Sequence, residues 1–232
     1  MSYLNDRKLL NLDELVYGRV FDAILEQKLV PGTRLNEEEL TQIFSVSRTV
    51  IRKALVRLTH DSIVETRQNK GARIATVTPK EARAVLEARR LTEGVLVRLA
   101  CEKSTAPDIA ELNHLIHEEE KAEAEGNRGK SLRMSGEFHF KIAQMADNQP
   151  LAEFARKLIS KVSLVISQFE KPNTKACILH DDHYALVNAI AAKDSVLAER
   201  LMHEHIKHIE GKLNFDGPEE TVSLRDAFLS ND

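Results

Sequence analysis

The spacing of apolar side chains predicts a short mixed segment at the N-terminus and a long helical remainder. Val16, Val20 and Ile24 recur at helical intervals, and Pro31-Gly32 marks the end of that periodicity. The pattern predicts three N-terminal helices, over about residues 10–28, 36–44 and 48–60. Ser47 can cap the third of them. Two short helices joined by a tight polar turn are typical of a helix-turn-helix.

A β-hairpin is predicted directly after the third helix. Residues 63–66 and 72–75 alternate between apolar and polar positions as half-buried strands do. Asn69 and Gly71, which lie between them, can supply the positive φ angles that a hairpin turn needs. Three helices followed by a hairpin make a winged helix-turn-helix.

A second domain is predicted from Thr78 onward. Thr78-Pro79 followed by Glu81 is a helix N-terminus signature, and nearly all of the following sequence has helical periodicity. Helices are predicted near residues 79–101, 107–125, 131–146, 150–170, 176–192 and 195–213, with a short one over 222–229. The fold class is therefore mainly α. The predicted domains are a winged helix-turn-helix over residues 1–77 and an all-α antiparallel helical bundle over 78–232.

Charge is unevenly distributed along a chain whose formal net charge is only −3. Residues 48–73 contain seven basic side chains and two acidic ones. A compact basic patch on an otherwise acidic chain is the pattern expected where a polyanion such as DNA docks. A solvated charged helix face would produce the same local pattern.

Neither secretion nor membrane insertion is indicated. The N-terminal residues lack the apolar core of a signal peptide, and no stretch approaches the roughly 20 apolar residues of a membrane span. Cys101 and Cys177 form no CxxC pair and are too few for a disulfide framework. We therefore expect a cytoplasmic protein.

The start of the third helix carries the candidate DNA contacts. Arg48 and Arg52 lie one turn apart and project together, and arginine is the usual bidentate reader of guanine. Ser47 and Thr49 can donate hydrogen bonds to phosphate, and Lys70 lies where a wing tip reaches the flanking backbone. The alternative is that both arginines are ordinary solvated helix charges.

Three histidines occupy similar positions on three predicted helices. His139, His183 and His205 each have aliphatic residues at helical offsets, which places each on an inward face. A single such histidine is more often a hydrogen-bonded core residue, but bundle cores are where facing helices assemble metal sites. Imidazole ligands suit Zn²⁺ or Ni²⁺.

The N-terminal segments resemble a known family. Residues 29–40, 46–55 and 69–75 resemble the DNA-binding half of GntR-family regulators in both order and spacing. The resemblance implies a homodimer bound to double-stranded DNA at a palindromic operator. It also implies DNA contacts at Arg48, Thr49, Arg52 and the wing tip near Gly71. Glu38 stands where some members carry a DNA-facing arginine, so that contact is not carried over.

The remainder resembles the FCD effector domain of the FadR subfamily, over about residues 79–213. Many members bind a divalent metal through one Asp and three His, and a small carboxylate completes the coordination. His139, His183 and His205 match the histidine positions, whereas Ser135 occupies the Asp position. Arg89 matches a position that often faces the ligand, where its guanidinium would pair with a carboxylate. An ion pair with Glu93 on the helix surface would explain Arg89 equally well.

The combined prediction is a ligand-responsive transcriptional repressor that senses a small organic acid, through a bound metal or by a metal-free pocket. A metal-dependent enzyme with an accessory winged helix is the alternative from another functional class. Glu137 is the general-base candidate near His139, but an offset of two residues directs it to a different helix face. The sequence therefore favours the regulator over the enzyme.

Overall fold

A computed structural model describes residues 12–26, 28–67, 71–171 and 179–215. The chain divides into two compact units, with a boundary between Thr76 and Val77. Within these ranges no helix is long and apolar enough to cross a membrane. Lys70, Cys177 and the predicted helix over 222–229 lie outside the described residues.

The first unit contains three helices and three short strands. The elements are α1 (Leu12–Leu25), β1 (Arg34–Leu35), α2 (Glu37–Phe44), α3 (Arg48–His60), β2 (Val64–Arg67) and β3 (Gly71–Ile74). Asn36 caps α2 by accepting hydrogen bonds from the amides of Glu38 and Glu39. The Ser47 hydroxyl caps α3 by accepting from the Val50 amide. The N-cap predicted at Ser47 is confirmed, and the two caps fix where the helices of the motif begin.

The strands form an antiparallel sheet in the order β1-β3-β2. Gly71 begins β3 with φ +75°, a backbone conformation that glycine adopts without the steric cost of a Cβ. The predicted hairpin is therefore present. β1 was not predicted, because a strand of two residues is too short to show an alternating pattern.

The second unit is a bundle of six helices. They are α4 (Pro79–Lys103), α5 (Ala106–Ala124), α6 (Arg128–Met145), α7 (Gln149–Phe169), α8 (His180–Ala191) and α9 (Ser195–Gly211). Thr78 and Glu81 form a complete capping box in front of α4. Asn148 caps α7 through the Leu151 amide. The fold class predicted from the sequence, a winged helix followed by a helical bundle, is confirmed.

The 25-residue helix α4 is the central element of the bundle, because it packs against α6, α7, α8 and α9. Its inward face buries Leu86, Leu96 and Val97 almost completely. The approach to α9 is close at Gly94, where a Cβ would overlap the His203 ring. This arrangement places the midpoint of α4 beside the inward faces of the helices that carry the candidate histidines.

Candidate DNA interface and metal centre

Helix α3 has one buried face and one exposed face. Its buried side chains are Ile51, Ala54, Leu55 and Leu58. Arg48, Thr49 and Arg52 are exposed on the opposite side, as is the capping residue Ser47. The aliphatic positions anchor the helix against the unit, and the polar positions at its N-terminal end are left free to meet a ligand.

Both arginines form ion pairs with acidic residues of α2. Arg52 Nε lies 2.9 Å from Glu37 Oε2, and Arg48 Nη2 lies 3.6 Å from Glu38 Oε2. The arginine side chains are nevertheless 66% and 61% exposed. Ion pairs this exposed contribute about 0–1 kcal/mol, so a phosphate or a guanine can compete for these guanidinium groups at little cost.

The predicted wing contacts are Lys70 and Gly71. Gly71 is exposed at the start of β3. The predicted contact at Lys70 lies outside the described residues. The described part of the interface therefore consists of the beginning of α3 together with the first residue of β3.

The three candidate histidines come together in the bundle core. His139 of α6, His183 of α8 and His205 of α9 are all at least 98% buried. Their ring centroids lie 4.8–5.5 Å apart. One nitrogen from each ring lies within 4.8 Å of the others, and this is the one such group of potential metal ligands among the described residues. The structure thus assembles residues that the sequence could place only on separate helices.

A carboxylate lies against the Nδ1 atom of each ring. The distances are 2.6 Å from His139 to Glu93 Oε2, 3.0 Å from His183 to Glu119 Oε2, and 3.3 Å from His205 to Asp182 Oδ2. These contacts turn the Nε2 edges toward one another, and the Nε2 atoms of His139 and His205 are 3.2 Å apart. Metal-binding histidines are commonly held in this way, with a carboxylate behind each ring.

Burial and charge keep these groups in the protonation states that a metal requires. Burial, opposed by Glu93, lowers the pKa of His139 to about 4. Burial likewise lowers the pKa of His205 well below its usual value. Although burial disfavours the charged Glu93 carboxylate, the Arg89 guanidinium and His139 outweigh that effect and lower its pKa to about 2. At neutral pH His139 and His205 are therefore neutral imidazoles, and the Glu93 carboxylate behind His139 is ionised.

The donor set fits a divalent metal ion. Two nitrogens on one tetrahedral ion lie about 3.3 Å apart when each bond is 2.0–2.1 Å, close to the 3.2 Å between the His139 and His205 Nε2 atoms. His183 Nε2 is fully buried without a hydrogen-bond partner, a costly arrangement that a bound cation would relieve. The cluster could therefore hold a metal such as Zn²⁺ or Ni²⁺.

Ser135 and Arg89 occupy the core near these rings. Ser135 is buried one turn before His139 on α6. Arg89 pairs with Glu93 through its Nε, as the sequence allowed, but both side chains are only 3% exposed. The alternative of an ion pair with Glu93 is therefore right about the partner but wrong about the surface position, because the pair lies in the core between α4 and its neighbours.

Sequence reasoning missed the three carboxylates behind the histidines. Glu119 and Asp182 stand 64 and 23 residues from their histidine partners and on other helices. Glu93 was considered only as a partner for Arg89. A buried acidic residue on the inward face of a helix is the signal that would have identified Glu119, which lies among Leu112, Ile116 and Ala122 on the buried side of α5.

Two family models match the chain in succession. Residues 12–74 match the model described as bacterial regulatory proteins, gntR family, and residues 84–208 match the FCD domain. The two matches correspond closely to the two compact units. The FCD match alone covers more than half of the chain.

Known regulators are similar over much of the sequence. The Nta operon transcriptional regulator of Aminobacter aminovorans is 33% identical over 132 residues, covering 57% of this chain and 62% of that protein. LutR of Bacillus subtilis is 27% identical, covering 81% of this chain and 94% of LutR. The Uxu operon transcriptional regulator of Escherichia coli is 25% identical, covering 85% of each chain.

Solved structures have the same fold. McbR/YncC of Escherichia coli has a TM-score of 0.71 at 20% identity and covers 86% of this chain and 95% of its own. A GntR regulator from Rhodococcus has a TM-score of 0.66 at 20% identity, covering 86% and 97%. At 20% sequence identity, these similarities show a shared fold.

Proposed function

The chain belongs to the GntR family of bacterial transcriptional regulators, in the group with an FCD domain, and from this premise we propose a metal-assisted, carboxylate-responsive repressor. The DNA-binding domain is assigned to residues 1–77 and the effector-binding and dimerisation domain to 78–232. The assembly is a homodimer that acts in the cytoplasm on a palindromic operator. The buried three-histidine cluster is the observation that carries the sensing part of this proposal.

Operator binding depends on the exposed start of α3. We assign base reading to Arg48 and Arg52 and phosphate contacts to Ser47, Thr49, Lys70 and Gly71. A recognition helix inserted in the major groove contacts bases with its N-terminal residues, which matches the exposed end of this helix. Two such helices in a dimer read two half-sites, which favours a palindrome.

We assign metal binding to His139, His183 and His205. A divalent ion held there supplies a Lewis-acidic centre with open positions for the oxygen atoms of an anionic ligand. The carboxylates behind the rings orient the imidazoles and keep their Nε2 atoms pointing inward. Ser135 contributes a hydroxyl where many members have an aspartate, which leaves room near His139 for an effector carboxylate.

Arg89 is assigned to effector binding. Its one hydrogen bond among the described residues runs from Nε to Glu93, so its two terminal amino groups are free to donate to a carboxylate. A paired guanidinium in a buried site is already ordered and loses little freedom when it binds an anion. Ser135 is assigned to the same subsite because its buried hydroxyl lies one turn before His139 on the same helix.

The chain is a regulator and not an enzyme, as its family indicates. The geometry around the cluster agrees with this conclusion. Glu137, the general-base candidate, is exposed on α6, whereas His139 faces the core. A carboxylate on that face does not reach a substrate held among the three rings.

The proposal is tested by measuring binding of the full chain to the promoter region of its own gene. Fluorescence anisotropy at two salt concentrations should show specific, salt-sensitive affinity, because phosphate contacts release counterions. Arg52→Ala should weaken binding by about 1–3 kcal/mol, as expected for the loss of a base-reading arginine. A screen of mono- and dicarboxylates with Zn²⁺ should identify an effector that releases the DNA.

Arg98→Ala is a matched control, since it removes the same charge from an exposed arginine of the bundle that pairs with Glu199. Its affinity for the promoter should equal that of the wild type. A wild-type protein that preferred no duplex over random competitor DNA, with or without ligand, would refute the operator-binding role.

A further inference from the structure

Glu119 differs from Glu93 in that no arginine or lysine among the described residues pairs with it. Glu93 pairs with the Arg89 guanidinium, and Asp182 is 24% exposed and shared with the exposed His208. Glu119 is fully buried, and among the described residues its contacts are His183 and His180. Burial of a carboxylate is unfavourable unless a cation lies close to it.

The unsatisfied atoms of this pair point to a bound cation. Glu119 Oε2 lies 3.0 Å from His183 Nδ1, while Glu119 Oε1 has no hydrogen-bond partner. His183 Nε2, on the opposite edge of the same ring, is also unpartnered and faces the other two histidines. A divalent ion at that edge would satisfy the ring nitrogen and place a positive charge one imidazole away from the carboxylate.

The kinds of side chain around the cluster lead to the same conclusion. Those that contact the rings or one another include three acidic residues, Glu93, Glu119 and Asp182, and one arginine, Arg89. Acidic groups therefore outnumber this arginine around the space that a cation would occupy. The acidic groups behind the histidines can therefore supply the negative charge that Ser135 does not.

We propose that Glu119 is a positioning residue that takes over, from α5 and through the His183 ring, the electrostatic role of an aspartate at position 135. It orients His183 so that Nε2 faces the metal, and its charge offsets that of the ion. This inference rests on the proposed metal site. It identifies the Glu119 carboxylate as the group that stabilises a bound ion in the absence of an acidic ligand. The first coordination sphere is then entirely neutral, which favours capture of an anionic effector.

The experiment measures Zn²⁺ and Ni²⁺ affinity of the full chain by competition with a chromophoric chelator. Glu119→Gln keeps an oxygen that can accept from Nδ1 but removes the charge. It should raise the dissociation constant by about 10- to 100-fold, the usual effect of losing a partner behind a metal ligand. Adding Ser135→Asp to that variant should restore most of the affinity, because the anionic charge returns directly beside the ion.

Glu118→Gln is the matched control, since Glu118 is the adjacent residue on α5 and pairs with Lys130 at 2.8 Å rather than with a histidine. Its metal affinity should equal that of the wild type. Far-UV circular dichroism monitors folding of each variant. If Glu119→Gln does not fold, Glu119→Asp serves instead, because it keeps the charge but withdraws it from His183, and about a tenfold weaker affinity is expected.

Each outcome has a distinct meaning. Unchanged affinity in a folded Glu119 variant would overturn the positioning role alone. Weakened affinity that Ser135→Asp failed to restore would overturn the electrostatic claim, since a purely structural glutamate would behave in that way. A wild-type chain that bound neither ion would overturn the metal site of the proposed function, and this inference with it.

Discussion

At the scale of single residues, the two arginines proposed to read DNA are paired with acidic neighbours. Arg48 and Arg52 pair across the turn with Glu38 and Glu37, which are the first residues of α2. Position 38 was noted from the sequence as one where a DNA-facing arginine is found in some relatives. A carboxylate at that position lies beside the groups proposed to contact DNA and lowers the local positive potential.

Glu38→Gln should therefore strengthen DNA binding by about two- to fivefold, equivalent to about 0.4–1 kcal/mol for one exposed charge. The midpoint of thermal unfolding should stay unchanged, because the Glu38 side chain is 68% exposed. Anisotropy titrations with promoter DNA measure the first quantity and circular dichroism the second.

Glu102→Gln, which removes an exposed carboxylate from the end of α4, is the control and should leave DNA affinity unaffected. Weaker DNA binding by Glu38→Gln would instead mean that the acidic residues of α2 hold the arginines in their productive orientation.

The positions of functional side chains could be predicted where the evidence lies within a single helix. The aliphatic offsets around His139, His183 and His205 placed all three on inward faces, and the structure brings them together. Their partners could not be predicted in the same way. The contact between His183 and Glu119 joins residues 64 positions apart, and no periodicity within one helix encodes such a pairing.

At the scale of elements, helix ends were the most predictable feature. The caps at Ser47 and Thr78 were expected from side chains that bond backbone amides within three residues. β1 was missed because its existence depends on pairing with β3 and not on its own two residues. The close contact between α4 and α9 at Gly94 could not be predicted either, because it depends on how the two helices pack together.

Gly94 and Gly136 offer a matched comparison of two helical glycines. A Cβ at position 94 would overlap the His203 ring, whereas one at position 136 would meet Ile159 Cγ2 at an ordinary 3.9 Å. Gly94→Ala should lower the free energy of unfolding by about 1–3 kcal/mol through overpacking of α4 against α9. Gly136→Ala should raise it by about 0.5–1 kcal/mol, because alanine restricts the unfolded chain.

Urea unfolding of the two variants beside the wild type provides the measurement. Equal stabilisation by both substitutions would show that α9 can move away from α4 without loss of packing. In that case the interface between the two helices would be more plastic than the buried position of Gly94 indicates.

At the scale of the whole molecule, metal binding and stability of the bundle are expected to be linked. Helices α6, α8 and α9 each contribute one histidine, and α4, α5 and α8 contribute the carboxylates behind them. A cation bound at this point joins five helices, and binding to the native state alone stabilises that state.

Zn²⁺ at about 100 times its dissociation constant should add about 2.7 kcal/mol to the free energy of unfolding, which corresponds to a rise of about 5–10 °C in the melting temperature. His183→Ala should abolish both this rise and the metal content measured by elemental analysis, while DNA affinity in the absence of effector is retained. Differential scanning calorimetry with and without chelator measures the shift.

The exposed His117 on α5 provides the control, and His117→Ala should respond to Zn²⁺ like the wild type. Equal metal content in His183→Ala and wild-type protein would remove the three-histidine cluster from the sensing role.

The length of α4 has a mechanical consequence. Glu93, which supports His139, lies 15 residues after the capped start of the helix at Thr78, a span of about 22 Å at 1.5 Å per residue. A rod of that length, tilted by about 5° around its ligand-bound midpoint, displaces its tip by about 2 Å. A tilt of α4 that moves its atoms by a fraction of an ångström at the effector site therefore displaces Thr78, in front of the helix, by a larger distance.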